Sequence, residues 1–126
     1  MEMIIDFPGG SRVDAHFDAF TVATDQPPDA SAPSPFEIFL ASIGTCAGIY
    51  VLGFCQQRGL PTGGIRIVER IHSGADGMVE KIDLEIQVPI SFPEKYYDSL
   101  IRSAELCKVK KQLAKPPKFE ITTKVS

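Results

Sequence analysis

The chain has 126 residues, enough for one domain with a hydrophobic core and short for two ordinary domains. Charged residues make up 23% of it and the formal net charge is −3, which excludes a disordered or fibrous protein. The basic excess that binds phosphate backbones or anionic lipid is missing, so a nucleic-acid-binding protein and a polybasic membrane anchor are not expected.

The first 23 residues are predicted to be extended. Apolar residues at positions 3, 4, 5 and 7 precede the turn signal Pro8-Gly9-Gly10, and polar and apolar residues then alternate from Arg12 to Asp18. Alternation with a period of two indicates a half-buried strand. The alternation slips at Ala19, where a turn or bulge is expected. A proline-rich loop follows over residues 24–35.

Both ends of a long helix are marked in the sequence. Ser34 and Glu37 form a Ser-x-x-Glu capping box around Pro35, and proline is favoured at the first helical position. At the other end Gly59, Leu60 and Pro61 provide a left-handed cap, its apolar contact and a stop. These signals predict one helix from Pro35 to about Arg58.

Within this helix, the twenty residues from Ile38 to Gln57 carry no charge. Such a run is long enough to span a bilayer, but it contains serine, threonine, glutamine and three glycines. Because both ends are capped and half-polar strands are predicted on either side, we interpret the run as the buried helix of a soluble protein. Gly44 and Gly48, one turn apart, allow close contact either with another helix, for example from a second subunit, or with a covering sheet.

The second half of the chain predicts a hairpin, a helix and a last strand. Alternating residues at 65–71 and 82–88 flank a turn at 73–77, which indicates an antiparallel hairpin. Ser91-x-x-Glu94 is a second capping box, and the helix that it opens is expected to reach Cys107, with one further turn to Leu113. Residues 119–125 alternate again. The predicted order is β-β-α-β-β-α-β, an α+β fold of antiparallel sheets around a long buried helix.

Three cysteines, Cys46, Cys55 and Cys107, are the main candidates for chemistry. No secretory signal is visible, so the thiols are expected in a reducing, cytoplasmic compartment. Their spacing matches no zinc motif, and neither a metal nor a bound cofactor is expected. Free cysteines are often only small buried apolar residues. Cys55 is turned about 180° from Cys46 on the helix and is expected to pack.

Two segments together resemble one protein family. They are Pro35-Phe36-Glu37-Ile38-Phe39-Leu40-Ala41-Ser42-Ile43-Gly44-Thr45-Cys46, with Arg58-Gly59-Leu60 after it, and Ala104-Glu105-Leu106-Cys107-Lys108-Val109. A proline-led apolar helix with a central cysteine, and a second cysteine about sixty residues on, is similar to the OsmC/Ohr family of osmotically inducible and organic hydroperoxide resistance proteins. The resemblance covers nearly the whole chain, so residues 1–126 are expected to form one OsmC-like domain.

The resemblance implies an intertwined homodimer and a thiol-dependent peroxidase of organic hydroperoxides and hydrogen peroxide. In that scheme Cys46 is the thiol that attacks the peroxide and becomes a sulfenic acid. Cys107 resolves it to a disulfide, and a dithiol such as that of a lipoyl protein reduces the disulfide.

The resemblance also implies an activating arginine, held by a glutamate that directly follows the helix-leading proline. Arg12, in a Gly-Gly context, resembles that arginine, although it also fits a solvated charge on the polar face of a strand. Phe36 stands where the glutamate is expected. Glu37 lies about 180° from Cys46 on the helix, and the capping box explains it better than catalysis does. This departure resembles a branch of OsmC-like proteins without the usual catalytic glutamate.

Two functions therefore remain open. The first is a thiol-dependent peroxidase that uses Cys46, Cys107 and Arg12. The alternative is a non-redox homodimer that binds a small apolar ligand, which the phenylalanine at position 36 favours. Neither predicts nucleic acid or membrane as a partner.

Overall fold

A computed structural model describes residues 1–28 and 30–125. The strands are β1 (Ile4–Gly9), β2 (Arg12–Phe17), β3 (Phe20–Thr24), β4 (Arg66–Ser73) and β5 (Val79–Gln87). The helices are α1 (Pro35–Gln57), α2 (Tyr97–Ala104), which follows a 3₁₀ turn at Glu94–Tyr96, and α3 (Lys108–Ala114). All the strand pairs are antiparallel, so the predicted α+β class is confirmed. The chain divides into two units, residues 1–42 and the residues from Ile43 onward.

The N-terminal unit contains the three-stranded sheet β1-β2-β3. Two strands were expected before the long helix, and the slip in alternation at Ala19 turns out to separate a third. Phe17 faces Phe20 across a two-residue connection, and Asp18 has a φ of 50°. Such a tight hairpin turn requires positive φ, which aspartate tolerates better than most residues.

Both predicted ends of α1 are confirmed. Ser34 and Glu37 cap each other reciprocally, with Ser34 N to Glu37 Oε1 at 3.0 Å and Glu37 N to Ser34 Oγ at 3.2 Å. At the C-terminal end, Gly59 has a φ of 65° and Leu60 N donates to Cys55 O at 2.9 Å. These are the bonds of a Schellman cap.

One side of α1 packs inside the C-terminal unit and another side is exposed. From residue 43 onward its buried residues are Ile43, Ala47, Val51, Phe54 and Cys55. The exposed side carries large apolar residues, above all Ile49 and Leu52. α1 is long and apolar enough to cross a membrane, but the core helices of soluble proteins meet the same criterion of length and composition.

Gly44 and Gly48 of α1 lie against the hairpin β4-β5. A Cβ on Gly48 would lie 3.9 Å from Ile67 on β4, and one on Gly44 would collide with the carboxylate of Glu69. The sheet alternative for this glycine pair is therefore correct. Burial raises the pKa of the Glu69 carboxyl, which also accepts a hydrogen bond from the Gly44 backbone.

The predicted hairpin is confirmed as β4-β5, with Ile67 opposite Ile86 and Ile71 opposite Ile82. Its apolar face lies in the same unit as the second half of α1 and the later helices. The main buried cluster there consists of Val51, Phe54, Cys55, Phe92 and Leu100, with Leu60, Ile67, Ile86 and Tyr96 packed around it.

Three predictions for the last third of the chain were wrong. The second capping box does not form, because Pro93 is the N-cap and makes no side-chain cap bond; Phe92 N instead donates to Pro89 O at 2.9 Å and the Phe92 ring is buried. The single helix through Cys107 is two helices. Residues 119–125 are not a strand, since none of the described strands pairs with them. Their apolar side chains are almost fully exposed.

We expect the core to depend on Leu100 of α2. Its side chain is 2% exposed, so Leu100→Ala removes buried contacts and should cost about 3 kcal/mol in the free energy of unfolding. Leu106→Ala is the matched control, because that leucine is 49% exposed and the change should cost about 0.5 kcal/mol or less. Urea unfolding of both variants measures the difference. Equal losses would contradict the assignment of Leu100 to the core.

Candidate active site

A break between α2 and α3 places Cys107. After Ala104, Leu106 N bonds Ser103 O and Cys107 N bonds Ala104 O, at 3.1 and 3.3 Å. Cys107 then leaves the helical conformation (φ −44°, ψ 121°) and becomes the N-cap of α3. The break therefore turns the Cys107 side chain to a position that a continuous helix would not give it.

The structure brings Cys46 and Cys107 together. Their side chains lie close enough for each to shift the pKa of the other. The Cys107 sulfur also lies 4.0 Å from Ile43 O and accepts from Lys110 N at 3.5 Å. The pairing of these two sequence positions, implied only by the family resemblance, is thus present in the geometry of one chain.

The surroundings of Cys46 favour its thiolate. The backbone N–H of Val109 donates to its sulfur and lowers the pKa of Cys46, against a smaller opposing effect of burial. The thiol of Cys107, the backbone N–H of Lys108 and the positive charge of Lys108 lower this pKa further. A thiolate is the nucleophilic form of cysteine, so Cys46 has the character of an attacking group.

The surroundings of Cys107 favour its thiol. Burial raises the pKa of Cys107, and the hydrogen bond and negative charge of Cys46 raise it as well. The two shifts agree, because both favour a proton on Cys107 and a negative charge on Cys46. When Cys46 becomes uncharged, the electrostatic part of this effect on Cys107 disappears.

The three cysteines also differ in access. All are free; Cys46 is half-buried, whereas Cys107 is only 2% exposed and Cys55 is fully buried in the core cluster. Burial raises the pKa of Cys55, so the expected packing role is confirmed. A small reagent from solvent meets Cys46 first.

Lys108 is a cation whose charge acts on Cys46, and sequence reasoning did not name it. Arg12, which the sequence predicts for this role, lies at the start of β2 in the N-terminal unit, and its role stays a prediction. Its guanidinium Nη2 lies 2.7 Å from Asp14 Oδ2 in the same strand. The only sequence sign of Lys108 was its place directly after Cys107.

Phe36 and Glu37 lie in the first turn of α1, as the sequence predicts. Phe36 is exposed and contacts the Phe39 ring at a centroid distance of 5.6 Å. The Ser34 backbone N–H lowers the pKa of Glu37, which holds it as a charged helix cap. Glu37 is thus used structurally.

A polar cluster on the N-terminal sheet was also not anticipated. Asp6, Asp14 and His16 bring their potential ligand atoms within 4.8 Å of one another. His16 already bonds Asp6 at 3.0 Å and Thr21 at 3.0 Å, and Asp14 bonds Arg12. Asp14 is only 5% exposed, and its second carboxylate oxygen, Oδ1, is buried with no hydrogen-bond partner among the described residues.

A cleft of about 740 Å³ opens beside Cys107, between the middle of α1, the hairpin β4-β5 and the helices α2 and α3. Its walls are largely apolar and include Ile43, Ile67, Leu84, Leu100 and Cys107, with Lys110, Glu85 and Glu105 as the charged members. A volume of this size suits a small organic molecule.

The pKa of Cys46 can be tested through its main hydrogen bond. Val109→Pro removes the N–H donor at a helix start, where proline is tolerated, whereas Val109→Ala keeps it. In the wild type, iodoacetamide should alkylate Cys46 with an apparent pKa below the ordinary value of about 8.5. The proline variant should shift the profile to higher pH, with less thiolate at neutral pH; the alanine variant should not. Profiles that coincide for all three proteins would refute the role of this amide.

Comparison with known proteins identifies the family to which the chain is similar. Residues 28–122 match the family model described as OsmC-like protein. Among solved structures, an osmotic stress induced and detoxification response protein from Psychrobacter arcticus 273-4 is similar at a TM-score of 0.73 and 19% identity, over 87% of this chain and 85% of that one. An OsmC-like protein from Mycoplasma pneumoniae gives 0.71 and 15%, over 90% and 86%.

An organic hydroperoxide resistance protein from Elizabethkingia anophelis is similar at a TM-score of 0.59 and 14% identity, over 89% of this chain and 88% of that one. At these identities the likeness is one of fold. Among curated proteins nothing matches the chain. Since the family model spans most of the sequence, the chain belongs to the OsmC-like protein family.

Proposed function

We propose that this protein is a thiol-dependent peroxidase that reduces organic hydroperoxides and hydrogen peroxide. The observation that supports it most is the closely placed pair of Cys46 and Cys107, in which the more accessible sulfur has the lowered pKa and the buried one the raised pKa. An attacking and a resolving thiol need this division of roles.

The proposed reaction begins at the Cys46 thiolate. It attacks the terminal oxygen of the hydroperoxide, the O–O bond breaks, and the alkoxide leaves and takes a proton to become the alcohol. Cys46 is then an uncharged sulfenic acid. The loss of negative charge at Cys46 makes Cys107 easier to deprotonate. The Cys107 sulfur attacks Cys46, hydroxide leaves as water with the Cys107 proton, and a disulfide remains.

The decisive experiment is disulfide formation at one equivalent of peroxide. Cumene hydroperoxide should produce the Cys46–Cys107 disulfide within seconds, with loss of two hydrogens detected by intact mass and the bond located by peptide mapping. Cys55 should stay reduced. A slow, unselective oxidation of all three thiols would refute the proposal.

The cleft supports a second candidate function, the binding of a small apolar ligand without redox chemistry. Ala104 is half-buried and lines this cleft, so Ala104→Phe should fill part of it while leaving both cysteines in place. If the cleft holds a ligand, the variant loses binding of an apolar fluorescent probe. Hydrogen peroxide consumption should persist in that variant if the peroxidase proposal is correct.

We also propose that the protein acts as a homodimer in a reducing compartment, the cytoplasm. The dimer is supported by the exposed apolar side of α1 and by the unpaired, alternating segment 119–125. The compartment is supported by three free cysteines, since a thiol pair works as a peroxidase only where a reductant restores it.

We also propose that Arg12 contributes to activation of the Cys46 thiolate. The variant Arg12→Gln tests this, and it should react more slowly with peroxide than the wild type.

A further inference from the structure

The segment that surrounds α3 is strongly basic in an acidic protein. Between Leu106 and Phe119 there are five of the 13 basic residues of the chain and none of its 16 acidic residues. All five, Lys108, Lys110, Lys111, Lys115 and Lys118, are exposed. The rest of the chain therefore has a clear negative excess, which makes this segment a local exception.

Three of these lysines share one side of the helix. At about 100° per residue, Lys108 and Lys111 of α3 and its C-cap residue Lys115 lie within about 60° of each other and form what we call the basic face. Lys110 lies on the other side and, with Leu113, lines the apolar cleft. The helix thus turns Lys110 and Leu113 towards the cleft, and the three lysines of the basic face lie on another side.

The basic face begins at the thiol pair. Cys107 is the residue before Lys108, and the backbone N–H and charge of Lys108 act directly on Cys46. From there the face extends about 10 Å along α3. A molecule that approaches a Cys46–Cys107 disulfide from this side meets lysines before it meets sulfur.

A disulfide between these cysteines has to be reduced from outside the chain. Among the three cysteines, only Cys55 remains, and it is fully buried in the core. The reductant must therefore present its own thiols at the site, and the surface beside the site selects among reductants by charge.

We propose that the basic face of α3 docks an acidic protein whose dithiol reduces the Cys46–Cys107 disulfide, an inference that rests on the proposed function. One thiolate of the dithiol attacks a sulfur of the disulfide, forms a mixed disulfide and releases one cysteine. The second thiol attacks the partner's sulfur in the mixed disulfide and releases the other cysteine. Two electrons and two protons pass from the dithiol to the cysteine pair, and the partner keeps a disulfide.

The test uses two synthetic Cys-Gly-Pro-Cys peptides that differ only in their flanks, one with glutamates and one with glutamines. The full-length protein is first oxidised with diamide, which makes the disulfide independently of any peroxidase activity. The rate constant of reduction by each peptide is then measured by acid quench and mass analysis. At about 0.02 M ionic strength the acidic peptide should react at least about tenfold faster, and about 0.5 M salt should remove the advantage.

The matched variants carry the same loss of charge at different places. Lys111→Gln with Lys115→Gln weakens the basic face without touching Lys108, and should lower the advantage of the acidic peptide at least about threefold. Lys81→Gln with Lys95→Gln removes two exposed lysines elsewhere and should leave it unchanged. Both double variants should react alike with the neutral peptide, which checks that the disulfide itself is unaltered.

Each outcome decides the proposal. Equal rates for both peptides, an advantage that survives high salt, or equal loss in both double variants would overturn it. So would sedimentation of the protein with anionic lipid vesicles together with no preference for the acidic peptide, since the face would then be a membrane contact. Failure of peroxide to form the disulfide while diamide forms it would overturn only the peroxidase. Failure of both reagents to form the disulfide would overturn the docking proposal as well.

Discussion

Cys46→Ser is expected to abolish peroxide consumption, with a fall of at least about a thousandfold in the rate constant with cumene hydroperoxide. Serine keeps the size of the side chain, but its hydroxyl is not ionised by the amides and the lysine that lower the pKa of Cys46. Loss of the nucleophile removes the chemical step itself rather than substrate binding. Turnover that survives in this variant would exclude Cys46 as the attacking thiol.

Cys107→Ser should behave differently from Cys46→Ser. The variant still has the attacking thiol, so it should consume one equivalent of peroxide and then stop, in the absence of any added thiol. A sulfenic acid should remain on Cys46, and dimedone should trap it as a stable adduct. No adduct after consumption of peroxide would contradict the assigned order of attack and resolution.

Cys55→Ala is the control for both variants. Cys55 is buried beside Phe54 and Val51 in the core cluster, so the change should lower stability modestly and leave the rate with peroxide unchanged. The comparison separates loss of a reacting sulfur from loss of a cysteine as such.

The parts of the fold that the sequence predicted well depend on local signals. The N-cap bonds of Ser34 with Glu37 and the C-cap at Gly59 involve residues only a few positions apart, and both are present as expected. The hairpin β4-β5 follows equally from alternation around a short turn. Such elements are decided by the residues within them, so a single sequence specifies them.

The wrong predictions each involve a distant contact. The Ser91 cap gives way because Phe92 packs into the core, a gain that outweighs one side-chain hydrogen bond. The break before α3 has no glycine or proline to mark it, and it serves to bring Cys107 to a residue 61 positions earlier in the chain. Residues 119–125 have the alternation of a strand, but alternation does not provide a partner strand.

The candidate site was predictable only in part for a related reason. The two cysteines could be named through the family resemblance, because side-chain identity is written in the sequence. The backbone N–H of Val109, which has the largest effect on Cys46, is a group that every non-proline residue carries. Its role comes from the position of α3 and so has no sequence signature.

Ile49→Asp is expected to turn a dimer into a monomer. Ile49 is 66% exposed on α1, and Leu52 lies on the same side of the helix, also exposed. Burial of this exposed side of α1 by a partner would contribute roughly 2 kcal/mol to the free energy of association for each large apolar side chain. In a two-fold dimer the same substitution occurs twice at one interface, so two carboxylates would be desolvated close to each other.

Ile90→Asp is the matched control, since Ile90 is fully exposed and lies outside α1, in the connection after β5. Analytical ultracentrifugation should show two 13.8 kDa chains associated in the wild type and in the control, and single chains for Ile49→Asp. Because an aspartate in an apolar helix can also impair folding, a photo-crosslinking benzoylphenylalanine at position 49 provides an independent readout. It should give covalent dimers on irradiation, and the same residue at position 90 should give none. A wild-type protein that sediments as a monomer at micromolar concentration would refute the dimer, and the exposed side of α1 would then need a different partner.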